Sequence, residues 1–516
     1  MSWKPEVDEI NRRKELAQKM GGDEAVARHL KAGKLTARQR IAKTLDQASF
    51  KEIGALTGAA TYDEHGNLIE FTPANVIIGS GRVDNRRVVV SAEDFTVRGG
   101  SSEATISDKW IWAETLALEM RMPLIRLVDT AGGSVKLLEK MGATKLPGYK
   151  DWKLVDILGI VPVASAALGS VAGLGAARVV ASHFSVMVKE TSQAFAAGPP
   201  VVVRATAEEL TKEELGGYKI HARGSGVVDN EADSEEDAFR QIRKFLSYLP
   251  SSVYQVPPRR ECEDDPKRRE EALLSIVPRN RKRTYDPRRL LSLVFDSDSL
   301  FEIGRRQGPS VVAMFGRLNG YPVGVMINDT RFFGGGLDAK AAEKVIRFVD
   351  MCDTFHLPIV NFVDQPGVVV GLSAEKAGTL RLAVRALQAI AQSKVPWVAM
   401  ILRRAFGVAG SYYGRHHDLN LRYAWPSGIW GSLPIEGGVY AAYKRDIESS
   451  ADPEVRRQEL EAHYDQLQSP FRTAERFGIH DIIDPRDTRP LLCDWVEQAY
   501  QVIPEQLGPV YRMMRV

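Results

Sequence analysis

The sequence contains few cysteines, carries almost no net charge and lacks the motifs of several large enzyme classes. Its three cysteines, Cys262, Cys352 and Cys493, form no CxxC pair, so they predict neither a disulfide framework nor a zinc ribbon. A net charge of +3 over 516 residues gives no support to nucleic-acid binding, which needs a concentrated basic face. There is no GxxxxGKS/T loop, no HExxH pair, no GxSxG turn and no GxGxxG opening the first helix. We therefore expect a reducing compartment, no bound metal and a chemistry without a side-chain nucleophile.

One long hydrophobic run, residues 157–177, has 21 residues without a charge and is long enough to cross a bilayer. It contains Pro162 and four glycines, which are typical of a buried strand that turns into a helix where the backbone comes close to a neighbour. We therefore expect no membrane span. The amino-terminal residues, MSWKPEVDEINRRKE, resemble neither a secretory signal nor a transit peptide, so we expect a cytoplasmic protein.

The chain contains one pattern twice. Residues 88–133 recur within residues 323–371, at positions 323–368, with a register of 235 and no gap. The identical pairs include Asp94 and Asp329, Gly99 and Gly334, Gly100 and Gly335, Lys109 and Lys344, Pro123 and Pro358, Asp129 and Asp364, and Gly132 and Gly367. Each copy predicts a strand, a Gly-rich turn, an amphipathic helix and a second, parallel strand. The ligand crevice of such a unit lies beyond the carboxyl ends of its strands, so we expect two crevices.

The duplication extends over whole domains. Residues 35–54 recur from Tyr285 at a register of 250, and the change to 235 leaves 15 extra residues in the first half, which we place in the polar insert 57–73. Together with a Pro-rich, charged linker at 254–287, this predicts two domains, residues 1–265 and 266–516. Residues 213–230 are expected to form a Gly-rich surface loop, followed by an amphipathic helix near 232–249.

Two strand–glycine–helix turns occupy equivalent places in the two copies. Residues 172–175, Ala-Gly-Leu-Gly, align with residues 406–409, Phe-Gly-Val-Ala, at a register of 234. Such a turn presents free backbone N–H groups, which suit an anion or a developing oxyanion, although tight packing alone would explain a single glycine turn. Without a side-chain nucleophile, the two turns favour enolate chemistry of thioesters, whose main demand is stabilising negative charge on the carbonyl oxygen.

Other polar groups have simpler explanations. The carboxylates that follow predicted strands are Asp94, Asp129, Asp329 and Asp364. They could form an acid–base set, but capping of the following turns is favoured. His416 and His417 lie in a charged stretch and are expected at the surface. The basic run 281–283 is expected to be solvated linker, with phosphate contact as the alternative.

A series of segments, in order along nearly the whole chain, resembles the carboxyltransferase (β) subunits of biotin-dependent acyl-CoA carboxylases, the family of the propionyl-CoA, acetyl-CoA and 3-methylcrotonyl-CoA enzymes. The segments are GKLTARQRI, DFTVRGGS, ELGGYKIHARGSGVVD, LLSIVPRNRKRTYDPRRLL, FFGGGLDAKAAEKVIRFVDMCDTFHLPIVNFVDQPG, RRAFGVAG and AWPSGIWGSLPIEGG. The resemblance implies an α/β fold of two tandem crotonase-like (ClpP/crotonase) ββα-superhelix domains. The first would take the acyl-CoA and the second the carboxybiotin.

The resemblance also implies site residues and partners. Gly173 and Leu174 match the amides that hold the thioester oxygen, and Gly407 and Val408 match those that hold the ureido oxygen of carboxybiotin. The residues expected to bind substrate are Gly132, Gly133, Ala409, Gly410 and Ser411. The implied partner is a biotin carboxylase/biotin carrier α subunit that brings carboxybiotin. The implied assembly is a hexamer, a trimer of dimers, in which two chains share each active site, with no part for nucleic acid or membrane.

Departures from the family pattern limit what can be said of the substrate. Gly-Leu and Gly-Val replace the double glycine that many relatives have at the two turns, and Ser411 occupies the position that lines the acyl pocket. A short-chain acyl-CoA such as propionyl-CoA is the default expectation. Two alternatives stay open: the carboxyltransferase of a sodium-pumping decarboxylase, which runs the transfer in reverse, and a non-catalytic scaffold subunit.

Overall fold

The computed structural model describes residues 2–144, 146, 148, 152–411, 414 and 420–515. They form two compact units, one ending at Gln255 and the other running from Val256 to Arg515. The domain boundary predicted after residue 265 lies within the second of these units. His416 and His417, predicted at the surface, lie outside the described residues.

The first unit is built on one mixed eight-stranded sheet and a separate hairpin. Its strands are β1 (Lys51–Ile53), β2 (Gly58–Tyr62), β3 (Leu68–Pro73), β4 (Val76–Val83), β5 (Arg86–Glu93), β6 (Leu124–Thr130), β7 (Val163–Ala172), β8 (Phe184–Val188), β9 (Gln193–Phe195) and β10 (Asn230–Ala232). Its helices are α1 (Lys4–Gln18), α2 (Asp23–Lys31), α3 (Ala37–Thr44), α4 (Ser107–Glu119), α5 (Lys136–Met141), α6 (Leu154–Leu158), α7 (Leu174–Val180), α8 (Pro199–Thr206), α9 (Lys212–Gly216), α10 (Tyr218–Ile220) and α11 (Glu235–Tyr248). A 3-10 turn (Arg98–Gly100) and a π turn (His221–Ser225) complete it.

The second unit is built on another eight-stranded sheet. Its strands are β11 (Phe301–Ile303), β12 (Val311–Leu318), β13 (Tyr321–Asn328), β14 (Ile359–Gln365), β15 (Trp397–Phe406), β16 (Asn420–Ala424), β17 (Ile429–Gly431) and β18 (Asp481–Ile482). Its helices are α12 (Leu273–Ile276), α13 (Pro287–Val294), α14 (Ala339–Thr354), α15 (Leu372–Lys376), α16 (Thr379–Gln392), α17 (Gly407–Gly410), α18 (Ile435–Ser449), α19 (Pro453–Leu467), α20 (Pro470–Ala474) and α21 (Thr488–Val502). Its 3-10 turns are Phe333–Gly335, Pro485–Asp487 and Ile503–Gln506.

The two sheets have the same strand order. The first runs β1-β4-β5-β6-β7-β8-β10 with β9 beside β7, and the second runs β11-β12-β13-β14-β15-β16-β18 with β17 beside β15. In both, the first three strands of the order pair antiparallel and the others parallel. The predicted duplication of α/β domains is confirmed. The hairpin β2–β3 has no counterpart among the described residues of the second unit and falls in the predicted insert, which accounts for the change of register.

The helix α3 and its equivalent α13 begin at matching caps. Thr36 Oγ1 accepts the N–H of Gln39 at 3.3 Å, and the Gln39 side chain accepts the N–H of Thr36 at 2.9 Å. In the second unit, Asp286 Oδ1 accepts the N–H of Arg288 at 3.0 Å, and Pro287 takes the first helical position, where its missing N–H costs nothing. Local sequence therefore sets where both helices start.

The predicted apolar stripes lie against the sheets. In α4 the buried stripe is Trp110, Ala113 and Ala117, and in α14 it is Ala341, Val345, Phe348 and Cys352. Ile106, four residues before Trp110, is the N-cap of α4 and so lies outside the helical stripe. The central parallel strands β6, β7, β14 and β15 are buried nearly throughout, as expected for strands covered on both faces.

The hydrophobic run 157–177 forms the end of α6, the strand β7 and the start of α7, as predicted. Among the described residues no helix has both the length and the apolar composition needed to span a bilayer.

The expectation that residues 213–230 form a surface loop is wrong. They form α9, α10 and the π turn, with Tyr218 and Ala222 buried. Thr211 and Glu214 form a capping box that starts α9. A Cβ on Gly216 would lie 2.2 Å from the carbonyl oxygen of Ala194, so this glycine serves close packing against β9.

The helix α14 carries a buried carboxylate that predicts a pH-dependent stability. Asp350 Oδ1 accepts the Nε–H of Arg512 at 2.7 Å, while Oδ2 has no hydrogen-bond partner among the described residues. Burial, outweighing the attraction of Arg512, raises the pKa of Asp350 to about 6. This pKa lies above that of Asp in the unfolded chain, so the protonated Asp350 side chain stabilises the folded state. Its contribution to the stability is complete below about pH 4 and is lost as the pH rises through 6.

The substitution Asp350→Asn resembles the protonated side chain at every pH. We expect it to raise the melting temperature at pH 7.5, where the ionised carboxylate costs up to about 3 kcal/mol, and to change it little at pH 4. Thermal melts of both proteins at the two pH values measure the difference. A variant that is less stable than the wild type by the same amount at both pH values would contradict this assignment.

Candidate functional site

The first amide turn lies at the carboxyl end of β7. Gly173 has φ +59, a left-handed value that favours glycine, and α7 begins at Leu174. The N–H of Gly173 donates to the carbonyl of Phe195 at 3.0 Å, whereas Leu174 occupies the first helical position, whose N–H has no acceptor within the helix. Of the two amides assigned from the sequence, that of Leu174 is therefore the one left to donate. A Cβ on Gly175 would lie 2.2 Å from Thr130 Cγ2, so Gly175 lets the helix pack on β6.

The loop after β6 brings Gly132 and Gly133 beside this turn. Gly132 has φ +80, and a Cβ on it would lie 2.9 Å from the carbonyl oxygen of Ala172, the residue before Gly173. Its N–H donates to Thr130 Oγ1 at 3.1 Å. A Cβ on Gly133 would meet nothing within 4 Å, so this residue borders open space. The structure thus brings together the site residues predicted in the first unit.

The Gly-rich turn after β5 closes against the same edge of the sheet. Gly100 has φ +63, and a Cβ there would lie 2.6 Å from the carbonyl oxygen of Asp129. The N–H of Ala131 donates to the carbonyl of Gly99 at 2.9 Å. The second unit repeats this contact, since a Cβ on Gly335 would lie 2.7 Å from the carbonyl oxygen of Asp364. Both units therefore pack a glycine turn closely against the carboxyl end of a parallel strand, the edge at which the two crevices are predicted.

A cavity of about 720 Å³ adjoins the crevice of the first unit. Its walls are α1 and α2, the hairpin strand β3, and the turn after β5 from Phe95 to Gly99. The cationic side chains on its walls are Lys19, Arg28, Lys34 and Arg98, against one carboxylate, Glu70. Burial lowers the pKa of His29, which keeps this further wall residue neutral near pH 7. The cavity therefore suits an anionic ligand.

Sequence reasoning missed this cavity. The signal was present, because residues 1–35 and the insert 57–73, which supply most of its walls, have no counterpart in the second half of the chain. Their contacts with the turn after β5 are visible only in the structure. The N–H of Gly21, for example, donates to Thr96 Oγ1 at 3.0 Å across 75 residues of chain.

The four strand-end carboxylates divide into two pairs. Asp94 Oδ1 accepts the N–H of Thr96 at 2.9 Å, and Asp329 Oδ1 accepts the N–H of Arg331 at 3.1 Å, so the predicted turn capping is confirmed for these two. Asp329 combines this cap with ion pairs to Arg288 and Arg331. Asp129 and Asp364 are likewise fully buried, and their side chains pair with arginines from other elements.

The partners of Asp129 and Asp364 differ between the units. Asp129 Oδ2 lies 3.1 Å from Arg40 NH1 and 3.6 Å from Lys34 Nζ. Asp364 pairs with Arg403 at 2.9 Å and with Arg404 at 2.7 Å. Position 403 is equivalent to Gly169, and a Cβ on that glycine would lie 2.0 Å from Asp129 Oδ1. In the first unit, Gly169 therefore leaves room for Asp129, and the arginine that pairs with this aspartate, Arg40, comes from α3.

The second amide turn lies at the carboxyl end of β15. Gly407 has φ +62, and α17 consists of one turn only, residues 407–410. A Cβ on Gly407 would lie 3.5 Å from the carbonyl oxygen of Ser432, and Gly431 pairs with Phe406 on the neighbouring strand. The side chain of Val408 is 52% exposed, so the turn is open to solvent within its unit.

The three other residues predicted to bind substrate in the second unit have local roles. Ala409 is buried, and a Cβ on Gly410 would lie 2.5 Å from the carbonyl carbon of Ala405. Ser411 is the C-cap of α17, and its hydroxyl donates to the carbonyl of Val408 at 2.6 Å. Their assignment to substrate binding stays a prediction.

Two further cavities flank this second turn. One of about 450 Å³ is lined mainly by apolar and aromatic side chains: Trp430, Leu433, Val439, Tyr443, Tyr464 and Leu467. The other, of about 370 Å³, is lined by the basic run 281–283 together with Arg403 and Arg404. Arg281 also pairs with Asp465 at 2.8 Å. The basic run is therefore part of a cavity wall, and its contact with phosphate stays a prediction.

Comparison with known proteins gives consistent matches over the whole chain. The sequence profile described as "Carboxyl transferase domain" matches residues 28–502. A propionyl-CoA carboxylase carboxyltransferase subunit from Haloferax mediterranei is 36% identical over 95% of this chain and 95% of its own. The methylmalonyl-CoA decarboxylase subunit alpha of Veillonella parvula is 32% identical over 91% of each chain. A hexameric transcarboxylase 12S crystal structure with hydrolysed methylmalonyl-coenzyme A bound superposes with a TM-score of 0.87, at 28% identity, over 97% of this chain and 96% of the other.

Proposed function

The chain belongs to the carboxyl transferase domain family, and we propose that it is the carboxyltransferase subunit of a biotin-dependent acyl-CoA carboxylase. Its reaction moves a carboxyl group from carboxybiotin to the α-carbon, or a vinylogous carbon, of a short-chain acyl-CoA. The observation that carries this proposal is the pair of glycine turns, at Gly173–Leu174 and Gly407–Val408, at the ends of equivalent strands in two sheets of the same order.

The first unit is our candidate for the acyl-CoA side. Coenzyme A carries a diphosphate and a 3′-phosphate, and in the described part of the chain only the first unit has the α1–α2 helices and the hairpin that wall the cationic 720 Å³ cavity. Through Gly99, Ala131 and Gly132, the cavity wall continues to the turn at Gly173. A nucleotide in the cavity would therefore direct the thioester towards the Leu174 amide.

The proposed reaction requires few groups from the chain itself, mainly backbone N–H donors. Carboxybiotin, when bound, would supply both the carboxyl group and the base that takes the α-proton. The Leu174 N–H, with Gly133 on the adjacent loop, would stabilise the negative charge that develops on the thioester oxygen as the α-proton leaves. The Val408 turn would hold the ureido oxygen, and the exposure of Val408 fits such a group. Asp129 and Asp364 are held in buried ion pairs, so neither serves as the base.

The assembly and partners follow the family expectation. We propose a homo-oligomer, a hexamer built as a trimer of dimers, in which the first unit of one chain faces the second unit of its partner. A biotin carboxylase/biotin carrier α subunit would deliver the carboxybiotin, in the cytoplasm. The hexameric transcarboxylase 12S, 28% identical over 97% of this chain, supports this assembly.

The reverse reaction is the second candidate, favoured by the 32% identity to a methylmalonyl-CoA decarboxylase subunit. The two directions use the same amide turns, so the partner protein decides between them. A scaffold role is less well supported, because Leu174 is only half-buried and Val408 is exposed, which leaves both turns accessible within their units.

The test is co-expression with the candidate α subunit, purification of the complex and an assay of ATP- and bicarbonate-dependent carboxylation. Acetyl-CoA, propionyl-CoA and 3-methylcrotonyl-CoA are the substrates to compare. We expect at least one to be carboxylated, with propionyl-CoA the default. A complex whose α subunit carboxylates its own biotin but which carboxylates none of the three would refute the proposal. A complex that instead decarboxylates methylmalonyl-CoA would identify the reverse reaction.

The cationic cavity makes a prediction of its own. The double substitution Arg28→Gln and Arg98→Gln should raise the KM for acyl-CoA about tenfold and leave kcat unchanged, because exposed arginines contribute modestly to phosphate binding. Steady-state kinetics measure this. The same thioester on pantetheine, which lacks the nucleotide, should show no change. Arg240→Gln on α11, where the side chain is 72% exposed and pairs with Asp237, is the matched control. An equal rise in KM for both thioesters would contradict the assignment.

A further inference from the structure

A buried ion-pair network lies behind the first amide turn. Arg126 on β6 is fully buried and lies 2.8 Å from Glu114 on α4. Arg178 on α7 lies 2.5 Å from Glu93 at the end of β5 and 3.7 Å from Glu114. Two arginines and two glutamates from four different elements therefore meet in the interior of one unit.

The network is closed on its outer side by two tryptophans. The indole Nε1–H of Trp152 donates to Glu114 Oε2 at 2.7 Å. The guanidinium carbon of Arg178 lies 4.5 Å from the centre of the Trp110 ring, a cation–π distance. Trp110 and Trp152 meet edge to face with ring centres 5.7 Å apart. Packing as well as hydrogen bonding therefore fixes the arginine positions.

The contacts of Arg126 and Arg178 hold the second half of α7 in place. Arg126 NH1 donates to the carbonyl of Arg178 at 2.9 Å and to the carbonyl of Ala181 at 2.6 Å, at the carboxyl end of the helix. Arg178 itself lies four residues after Leu174, one helical turn further along. A shift of α7 would thus break contacts to β5, α4 and β6 together.

The second unit builds the same sheet without these charges. At the register of 235, Glu93, Glu114 and Arg126 are replaced by Asn328, Val349 and Asn361. Asn328 Oδ1 accepts the N–H of Asp364 at 3.0 Å, so a neutral amide suffices at the end of β13. The fold therefore does not require buried charges here. Burying them is unfavourable without complete pairing, so their presence in one unit calls for a reason other than the fold.

We propose that Arg126 and Arg178 are positioning residues for the acyl-CoA reaction: they fix α7, and so hold the Leu174 N–H where negative charge develops on the thioester oxygen. This inference rests on the proposed function. Neither arginine touches substrate, because both side chains are almost fully buried. Their effect should therefore fall on the transition state, where a donor displaced by a fraction of an ångström loses most of its value.

The test compares three variants in the full complex with the α subunit. Arg178→Gln and Arg126→Gln should each lower kcat up to about 10²-fold, while the KM for acyl-CoA and the Kd of the isolated subunit for acyl-CoA change less than about threefold. Arg178→Lys keeps the charge beside Glu93 but loses the planar fork, and should give an intermediate kcat. It also keeps the proposal testable if Arg178→Gln does not assemble.

The matched control is Arg489→Gln in the second unit. Arg489 is equally buried and pairs with Asp296 at 2.8 Å, but it contacts neither amide turn. We expect a lower melting temperature with kcat within about threefold of the wild type. A kcat in the Arg178 and Arg126 variants equal to that of the wild type, or to that of Arg489→Gln, would overturn the positioning role. A wild-type complex that neither binds nor carboxylates acyl-CoA would instead refute the proposed function.

Discussion

Replacing Leu174 by proline is expected to lower kcat for acyl-CoA carboxylation about 10²–10³-fold, the usual loss when one oxyanion donor is removed. Leu174 occupies the first position of α7, where proline fits the helix and removes only the N–H. The Gly173 N–H is donated to Phe195, so it cannot replace the lost donor without breaking that bond. Steady-state kinetics of the complex, at acyl-CoA concentrations well above KM, measure the effect.

Leu174→Gly is the control for the lost side chain. It restores the double glycine that many relatives have, keeps the N–H and removes the same apolar contacts as proline does. We expect its kcat within about tenfold of the wild type, and acyl-CoA binding nearly unchanged in both variants. Equal losses in Leu174→Pro and Leu174→Gly would assign the effect to packing and remove Leu174 from the oxyanion site.

Replacing Val408 by proline is expected to cause a loss of similar size, about 10²–10³-fold in kcat, through the other half of the reaction. Val408 is the second residue of α17, a first-turn position where proline is tolerated. Val408→Gly is again the control that keeps the N–H. Acyl-CoA binding to the isolated subunit should stay at the wild-type value, because the cationic cavity and the Leu174 turn belong to the other unit. Full activity in Val408→Pro would remove this amide from the carboxybiotin site.

The same two variants test whether active sites are shared between chains. In a mixed dimer of Leu174→Pro and Val408→Pro chains, a shared site would pair the intact first unit of one chain with the intact second unit of the other. One site in two would then be fully active, and an equal co-expression should recover about a quarter of wild-type activity from two inactive proteins. If each site were built within one chain, the mixture would stay inactive.

Much of the fold could be predicted because it is encoded in local, repeated patterns. The stripes of α4 and α14 follow the helical period, and the caps at Thr36 and Asp286 lie within three residues of the groups they satisfy. The duplication added a second, independent copy of each signal. The same reasoning was wrong at residues 213–230, where glycine content indicated a loop but Gly216 serves close packing against Ala194.

The roles of the buried charges could not be predicted in the same way. Asp129 and Asp364 stand at equivalent strand ends, and the sequence favoured one role for both. Their partners come from different places: Arg40 is 89 residues from Asp129, and Arg403 is 39 residues from Asp364. Which arginine reaches a buried carboxylate depends on how distant elements pack, and no local period reports that.

The sequence by itself determined the family, the duplicated α/β architecture, the insert 57–73 and the two glycine turns, because each depends on residue order within a short stretch or on its repetition. The tertiary structure alone decided three matters. It forms the cationic cavity from α1, α2, the hairpin and the turn after β5, and it brings Arg126 and Arg178 together behind α7. It also pairs the Gly173 N–H with the carbonyl of Phe195, which leaves the Leu174 N–H to donate to a ligand. Each of these depends on which groups from separate elements meet in space. A buried charge or N–H without a partner costs free energy, so the packing of distant elements decides which partner each group takes.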